Sequence, residues 1–236
     1  MPVRSDTDIT KIKIDLHVHT LVSKDAAAPL AAIIRAMKRL GLNAAALTDH
    51  NALALGQRWQ EVQGVRLISG EEVMTTEGEI IGLFLRQAIP PELTPEDTIA
   101  AIRDQGGLTY LPHPFKNTGS RNWAEANLRR ILPGIDIIEV FNGRLLNPAA
   151  NRQAAQLARE VGALQGAGSD AHTPWEVGRA YVEMSEFDSP ASFLDSLRTA
   201  KIFGRRPSRL GRIFMNRFIR KGLRQLMLRC ERSNLP

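Results

Sequence analysis

Apolar positions along the chain switch repeatedly between a period of two and a period near 3.6. Lys11–Val18 alternates, with Ile12, Ile14, Leu16 and Val18 on one face and Asp15, His17 and then His19 on the other. Pro29–Leu40 carries Leu30, Ile33, Ile34, Met37 and Leu40 as a helical stripe, with Pro at its start and Gly41 at its stop. Asn43–Thr48 and Val65–Ser69 are short apolar runs with polar ends, and Val73–Thr76, Gly78 and Glu79–Leu85 predict a hairpin. Thr94, Pro95 and Glu96 open a helix that Gly106 closes, ahead of strands at Gly107–Leu111 and Ile135–Phe141. Asn147 and Pro148 open a further helix, apolar at Ala150, Ala154, Leu157, Ala158 and Val161 and stopped by Gly162. Ala163–Ala167 reads as a strand, and Ser189-Pro190 as the start of a short helix bearing Phe193, Leu194 and Leu197.

Strands alternating with helices in this way predict an α/β protein with a parallel sheet, open or closed into a barrel. No internal repeat or low-complexity linker divides the chain, so one domain over residues 1–204 and a tail over 205–236 are expected. At 236 residues, with 43% hydrophobic and 24% charged residues, the chain is long enough for one sizeable core and is not of a disordered class. No apolar run nears the roughly 18 residues that cross a bilayer. The first residues lack the apolar segment of a secretory signal, and the single Cys230 needs no oxidising compartment, so a cytoplasmic location is expected.

Charge changes the picture. Ten basic residues and one acid fall from Arg205 onward, giving that segment +9 and leaving residues 1–204 at −3 within a net charge of +6. A body of that sign argues against a domain that coats nucleic acid.

The chain's 5 histidines, His17, His19, His50, His113 and His172, all fall at the C-terminal ends of predicted strands. In parallel α/β folds that edge gathers ligands and catalytic groups. In His17-Val-His19 two imidazoles share a strand face and can hold one ion, with Asp15 orienting a ring from behind. Asp49 beside His50 is a catalytic candidate or simply a helix cap. Of Glu71 and Glu72, placed on a loop ending the third strand, alternation turns one inward, where a carboxylate can bridge two ions. Pro112-His113-Pro114 is a rigid turn that holds a histidine, and Asp170-Ala-His172 repeats the two-residue spacing with mixed donors. Each motif alone has an ordinary structural explanation. Together they offer five nitrogens and at least two carboxylates without a thiolate, a set suited to Zn²⁺, Mn²⁺ or Fe²⁺ in hydrolysis.

In their order, DLHVHT (15–20), TDH (48–50), Gly-x-Glu (70–72), HP (113–114), EVFNGR (139–144) and GSDAH (168–172) resemble the PHP family. This is the polymerase and histidinol phosphatase superfamily of metal-dependent phosphoesterases. The resemblance covers about residues 12–200. It implies a distorted (β/α)7 barrel with two or three divalent ions at the C-terminal end of its strands. It implies that His17 and His19 bind the first ion with Asp170, that Glu72 bridges, that His113 binds the second ion, and that His50 and His172 bind the third. Asp25 stands near a further ligand position of the family. Glu79 stands where some relatives have a histidine, and either replaces it as an oxygen donor or leaves two ions. Glu139 and Asn142 are expected to support the ligands.

Among cations near these motifs, Lys116, Arg121, Arg144 and Arg179, the two preferred clamps for a substrate phosphate are Arg144 and Arg179. The tail spaces Leu210, Ile213, Phe214, Phe218, Leu223, Leu226 and Met227 among arginines, a basic amphipathic helix. Packing of that apolar stripe against the barrel or a partner chain is expected first, with a membrane surface or nucleic acid as the other readings. The expected function is hydrolysis of a phosphomonoester or small nucleotide by a metal-activated hydroxide. The alternatives are a nuclease or oligonucleotide phosphodiesterase aided by the tail, an amidohydrolase-type barrel, and a non-catalytic module.

Overall fold

A computed structural model describes residues 11–117, 122–207 and 217–233 of the protein. Strands β1 (Lys11–Val18), β2 (Ala44–His50), β3 (Trp59–Val62), β4 (Val65–Met74), β5 (Glu79–Leu83), β6 (Leu108–Leu111), β7 (Ile137–Asn142), β8 (Leu164–Gly168), β9 (Ala180–Ser185) and β10 (Lys201–Gly204) form one sheet. Its order is β10-β9-β1-β2-β4-β5-β6-β7-β8, with β3 paired to β4. The helices are α1 (Leu30–Leu40), α2 (Pro95–Asp104), α3 (Glu125–Ile131), α4 (Pro148–Val161), α5 (Pro190–Leu197) and α6 (Arg217–Ser233).

β1, β2 and β4 are parallel neighbours, as are β6, β7 and β8, while β5 runs antiparallel between β4 and β6. The sheet curls until the chain beyond β8 meets β1, where His19 N donates to Ala171 O at 2.9 Å. The result is a nearly closed α/β barrel of seven strands, distorted by β5, to which β9 and β10 add an antiparallel flap.

Local chemistry explains most of the elements. The Thr94 side chain accepts from Asp97 N at the start of α2, Asn147 accepts from Ala149 N at the start of α4, and Ser189 with Ser192 makes a capping box before α5. Gly41 and Gly162 end α1 and α4 with φ of 66° and 68°.

Ile14, Leu16, Ile68, Ile81, Tyr110, Ile137 and Val182 belong to the barrel's interior cluster. At the end of the barrel away from the histidines, Phe84, Phe187 and Phe193 pack edge-on with centroids 5.0 to 6.0 Å apart. A second cluster lies beneath α2, α3 and α4, and a third beneath α1.

Three expectations change. Val65–Ser69 and Val73–Thr76 are one strand: β4 runs unbroken for ten residues, so Glu71 and Glu72 sit inside a strand and not on a loop. The β1–β2 register shifts between Asp15 and Val18. Ile12, Ile14 and Leu16 therefore face the interior while Val18 packs with α1, and the four do not share one face. β3, β9, β10 and α3 add to the expected elements; β3, β10 and α3 are too short to show a clear period, while β9 alternates, with Ala180, Val182 and Met184 buried.

Leu210, Ile213 and Phe214 of the tail stripe, and Arg121, lie outside the described residues. In the described part of α6, Leu223 and Met227 are half-buried while Leu226 is 55% exposed, and Arg224 makes hydrogen bonds that reach the barrel. No helix among the described residues is long and apolar enough to cross a membrane.

Candidate metal centre

β1 delivers His17, with His19 just beyond its end, the end of β2 delivers His50, β4 delivers Glu72, and the turns after β6 and β8 deliver His113, Asp170 and His172. All meet at one end of the barrel. Glu72 is the hub: its Oε1 lies 3.1 Å from His113 Nε2. Its Oε2 lies 3.0 Å from His50 Nδ1, 3.4 Å from His19 Nε2 and 3.5 Å from His17 Nε2. Asp170 Oδ1 is 3.3 Å from His172 Nδ1, 3.5 Å from His19 Nε2 and 3.9 Å from His17 Nε2. From the loop after β1, Asp25 Oδ2 reaches His172 Nε2 at 3.0 Å and Oδ1 reaches His50 Nε2 at 3.6 Å. Glu79 opens β5 with its Oε2 3.7 Å from His113 Nε2 and 3.0 Å from Lys116 Nζ. Four overlapping sets of three donors fall within chelating distance: His19, His50 and His172; His17, His113 and Asp170; His17, His19 and Glu72; His50, Glu72 and Glu79.

The residues fit divalent cations, and the outer hydrogen bonds of two rings show why. His17 Nδ1 lies 3.1 Å from Glu139 Oε1, an acceptor. His19 Nδ1 lies 3.2 Å from Ser23 Oγ, whose own proton goes to Asp49 Oδ1 at 2.6 Å, so the ring donates there. In their neutral, metal-binding forms both rings then carry a lone pair on Nε2, and these two atoms face one another at 3.1 Å. Aimed together, two lone pairs can share one cation. In the metal-free protein a proton on His17 can take that place, since burial would lower this ring but Glu139 and Glu72 raise it well above the usual imidazole value. Glu72 Oε2 and Asp25 Oδ1 are likewise buried with no hydrogen-bond partner.

Electrostatics keep the acids ionised, as metal binding requires. Burial would raise Glu72, but His50 and His17 hold it well below the usual carboxylate range. Asp170 and Asp25 are held low against burial in the same way, chiefly by His17 and His172 respectively. Burial would lower His50, but Glu72 outweighs it and lifts the ring to about 9. His19 is pushed well down by burial and by His172 and His50, which suits a neutral ligand. His113 (φ 27°) and Asp170 (φ 52°) both hold left-handed backbone, a strain that surrounding structure must impose.

Three expected roles differ. Asp49 neither caps a helix nor points at the cleft: its carboxylate accepts from Thr20 N, Thr20 Oγ1, Ser23 N and Ser23 Oγ at 2.6 to 3.0 Å. With its lone pairs spent on the loop that carries Asp25, it is a loop anchor. Asp15 does not orient a ring. It accepts from Ser169 N and Gly178 N, both at 2.8 Å, and ties β1 to the chain beyond β8. Glu139 of β7 stands behind His17 instead, and it also accepts from Tyr110 Oη, His113 N and Asn142 Nδ2. Arg144 lines the cleft, whereas Arg179 lies behind it with its Nη1 on Glu176 Oε1 at 3.4 Å.

Glu176 escaped the sequence reading. It binds Arg144 through Oε1, and through Oε2 it accepts from His172 N and Thr173 Oγ1. A lone acid in a Thr-Pro-Trp-Glu turn carries no signal of that task.

Above the donors opens a cleft of about 470 Å³. Lys116, Asn117 and Arg144 lie on its rim, and Met74, Phe115, Leu145 and Leu146 form an apolar wall.

Glu71 faces away from the donors. Its Oε2 accepts from Ile89 N at 2.9 Å, its Oε1 is buried without a partner, and burial pushes it up to about 7. The folded chain therefore holds this proton more tightly than the unfolded chain does. Both states keep it below the ordinary carboxylate pKa, and stability falls as pH rises through about 7. Thermal unfolding midpoints of Glu71→Gln and the parent should accordingly shift in the variant's favour between about pH 4.5 and pH 7 and level off above. A gap that does not change with pH would show that Glu71 is ionised throughout.

A barrel of this topology with these donors at one end defines a candidate multinuclear metal centre. Sequence profiles described as "PHP domain" and "PHP-associated" match residues 15–111 and 148–202. Uncharacterized protein MJ0417 of Methanocaldococcus jannaschii is 36% identical over 197 residues, 79% of each chain. The chain belongs to the PHP family.

Among solved structures, it is similar to a two-domain protein from Bacteroides vulgatus containing a predicted PHP-like metal-dependent phosphoesterase. That match has a TM-score of 0.61 at 19% identity and covers 83% of this chain and 65% of that one, so the chain spans under two thirds of that protein. Endonuclease Q, solved with a 27-mer duplex carrying an abasic lesion at the active site, matches with a TM-score of 0.62 at 17% identity, over 84% of this chain and 60% of that one.

Proposed function

We propose that the protein hydrolyses a phosphomonoester or a small nucleotide with two or three divalent ions, Zn²⁺, Mn²⁺ or Fe²⁺. The observation that carries this reading is the facing pair of His17 and His19 Nε2 atoms, closed by Glu72 and Asp170 at the floor of the cleft. His17, His19 and Asp170 would hold one ion, with Glu72 bridging to a second on His113. His50, His172 and Asp25 supply a third set, and Glu79 adds an oxygen donor. When bound, such ions make a nucleophile from water near neutral pH and neutralise phosphoryl charge.

The chain's own groups do the rest. Glu139 and Ser23 fix the His17 and His19 rings with their donor nitrogens inward, Asp49 fixes the loop that presents Asp25, and Arg144 meets phosphate oxygens at the rim. A cleft of about 470 Å³ with one apolar wall suits a small ester with a hydrophobic or planar leaving group better than a polymer. The barrel over 1–204 is the catalytic unit in this reading. A single cysteine supports a cytoplasmic setting.

The test is metal analysis of gently purified protein followed by phosphate release from monoesters, mononucleotides and oligonucleotides. Metal-dependent release from the small esters is expected. Cleavage of oligonucleotides alone, with affinity falling steeply as salt rises, would move the reading to a nuclease served by the tail. Protein that carries and binds no metal would be a non-catalytic module.

A further inference from the structure

The basic tail does more than lend positive charge to the surface. Arg220 and Arg224 stand four residues apart, one turn of α6, and so share a face. Arg224 Nη1 donates to three carbonyls of the loop after β1: Leu21 at 2.8 Å, Ser23 at 2.7 Å and Ala26 at 2.9 Å. This is the loop that Asp49 holds from beneath and that carries Asp25. One turn nearer the helix start, the Arg220 side chain is only 9% exposed, and its Nη1 lies 3.9 Å from Asp25 Oδ2, too long for a hydrogen bond. Its Nε and Nη1 are buried without a hydrogen-bond partner.

A guanidinium presents five donors in a planar fork that matches carboxylate or phosphate two at a time. Here three of the five, one on Nε and two on Nη1, are withdrawn from water with no hydrogen-bond acceptor. Burial and the nearby Arg144 both disfavour this charge, and Asp25, with Glu176 and Asp170 farther off, offsets them only in part. Those acids are occupied: Asp25 and Asp170 by the histidines, Glu176 by Arg144 and Arg179. Arg220 stands beside Asp25, which lines the cleft together with Arg144, next to a site whose chemistry handles anions.

We propose that Arg220, carried in by α6 and anchored by Arg224, is an anion-binding residue of the active site that works with Arg144 to hold the phosphoryl oxygens of the substrate and of the released phosphate. The inference rests on the phosphoesterase reading. It gives the tail a place in the catalytic site of its own chain, and it makes a doubly ionised terminal phosphate the preferred group, since two guanidinium groups meet it.

Inorganic phosphate is the probe, titrated calorimetrically into full-length, metal-loaded protein and its Arg220→Gln and Arg220→Lys variants, with metal content measured on each sample. Arg220→Gln should weaken phosphate at least about 30-fold with metal content unchanged, the low end for removing one partner of a buried hydrogen-bonded charge pair. Arg220→Lys, which keeps the charge and loses the fork, should fall between. Arg224→Gln, which leaves Arg220 in place and cuts its anchor, should weaken phosphate in the same direction and serves if the Arg220 variants do not fold. Equal phosphate affinity in parent and variants overturns the inference alone. Loss of metal in place of phosphate affinity also overturns it, because Arg220 would then act by supporting Asp25. A parent that binds no phosphate overturns the phosphoesterase reading as well.

Discussion

Glu72→Gln should remove bound metal and lower phosphate release by more than about 100-fold, beyond what loss of a ligand's supporting partner costs. The change is nearly isosteric and falls mid-strand in β4, so the barrel should persist. What disappears is the negative charge that four imidazoles approach within 3.5 Å. An amide offers one weak oxygen donor in place of two ionised ones, and its NH₂ group meets lone pairs that the parent carboxylate leaves free for a cation. A second readout follows from His50, which Glu72 lifts to about 9 against burial. In metal-free variant protein the ring should titrate well below that value, measurable by NMR of the imidazole protons. Raised in the fold, that protonation stabilises the metal-free parent fully below about pH 6.5 and is lost as pH rises through 9, so metal-free Glu72→Gln should be the less stable of the two below that range. Full metal content and parent-like turnover in the variant would remove Glu72 from the centre of the site.

What could be seen in advance follows from the range of each interaction. Ligand spacing inside one strand is local, so His17 with His19, and Asp170 with His172, stand out in the sequence. The alternation rule also says that only one of Glu71 and Glu72 faces inward, and the family resemblance selects Glu72. Helix starts and stops are local chemistry too, which is why Thr94, Asn147 and Ser189 mark their helices correctly. What pairs across the barrel leaves no such trace. Glu139 stands 122 residues from the ring it orients and is expected only through the family resemblance. Nothing near Asp15 reveals that its oxygens serve backbone N–H groups of His17, Ser169 and Gly178 instead of an imidazole. Asp49 misled because an acid beside a histidine suggests shared chemistry, while its partners lie on the loop 26 to 29 residues earlier. The tail's apolar stripe is legible, with Leu223 and Met227 half-buried, but nothing in the sequence marks its polar contacts, made by an arginine to carbonyls whose only distinction is position. The bulge in β1 was hidden for a similar reason, since a register shift beside a site is set by the neighbouring strand.

The seam where the barrel closes predicts the second large effect. β8 ends at Gly168, and a side-chain carbon there would meet His17 Cβ well inside contact distance, with His17 N at 2.8 Å and Glu139 Oε1 at 2.9 Å. The obstacles are backbone and two fully buried side chains, so nothing flexible can give way. Gly168→Ala must therefore push β8 from β1 or displace His17 from Glu139. The first strains the bonds from Ser169 N to Asp15 and from His19 N to Ala171 O. The second moves a proposed metal ligand. Overpacking of this kind costs about 1–3 kcal/mol, which for a chain of this size lowers the unfolding midpoint by roughly 2–4 °C per kcal/mol. Turnover should suffer more, because a shift near 1 Å at a reacting site costs on the order of 100-fold. Gly56→Ala is the control: nothing lies within 4 Å of the added carbon, and stability and activity should match the parent. Thermal unfolding and phosphate release on the two variants decide the matter. Parent-like values for Gly168→Ala would mean that the seam can open without disturbing His17, and that ring placement does not depend on the closure at all.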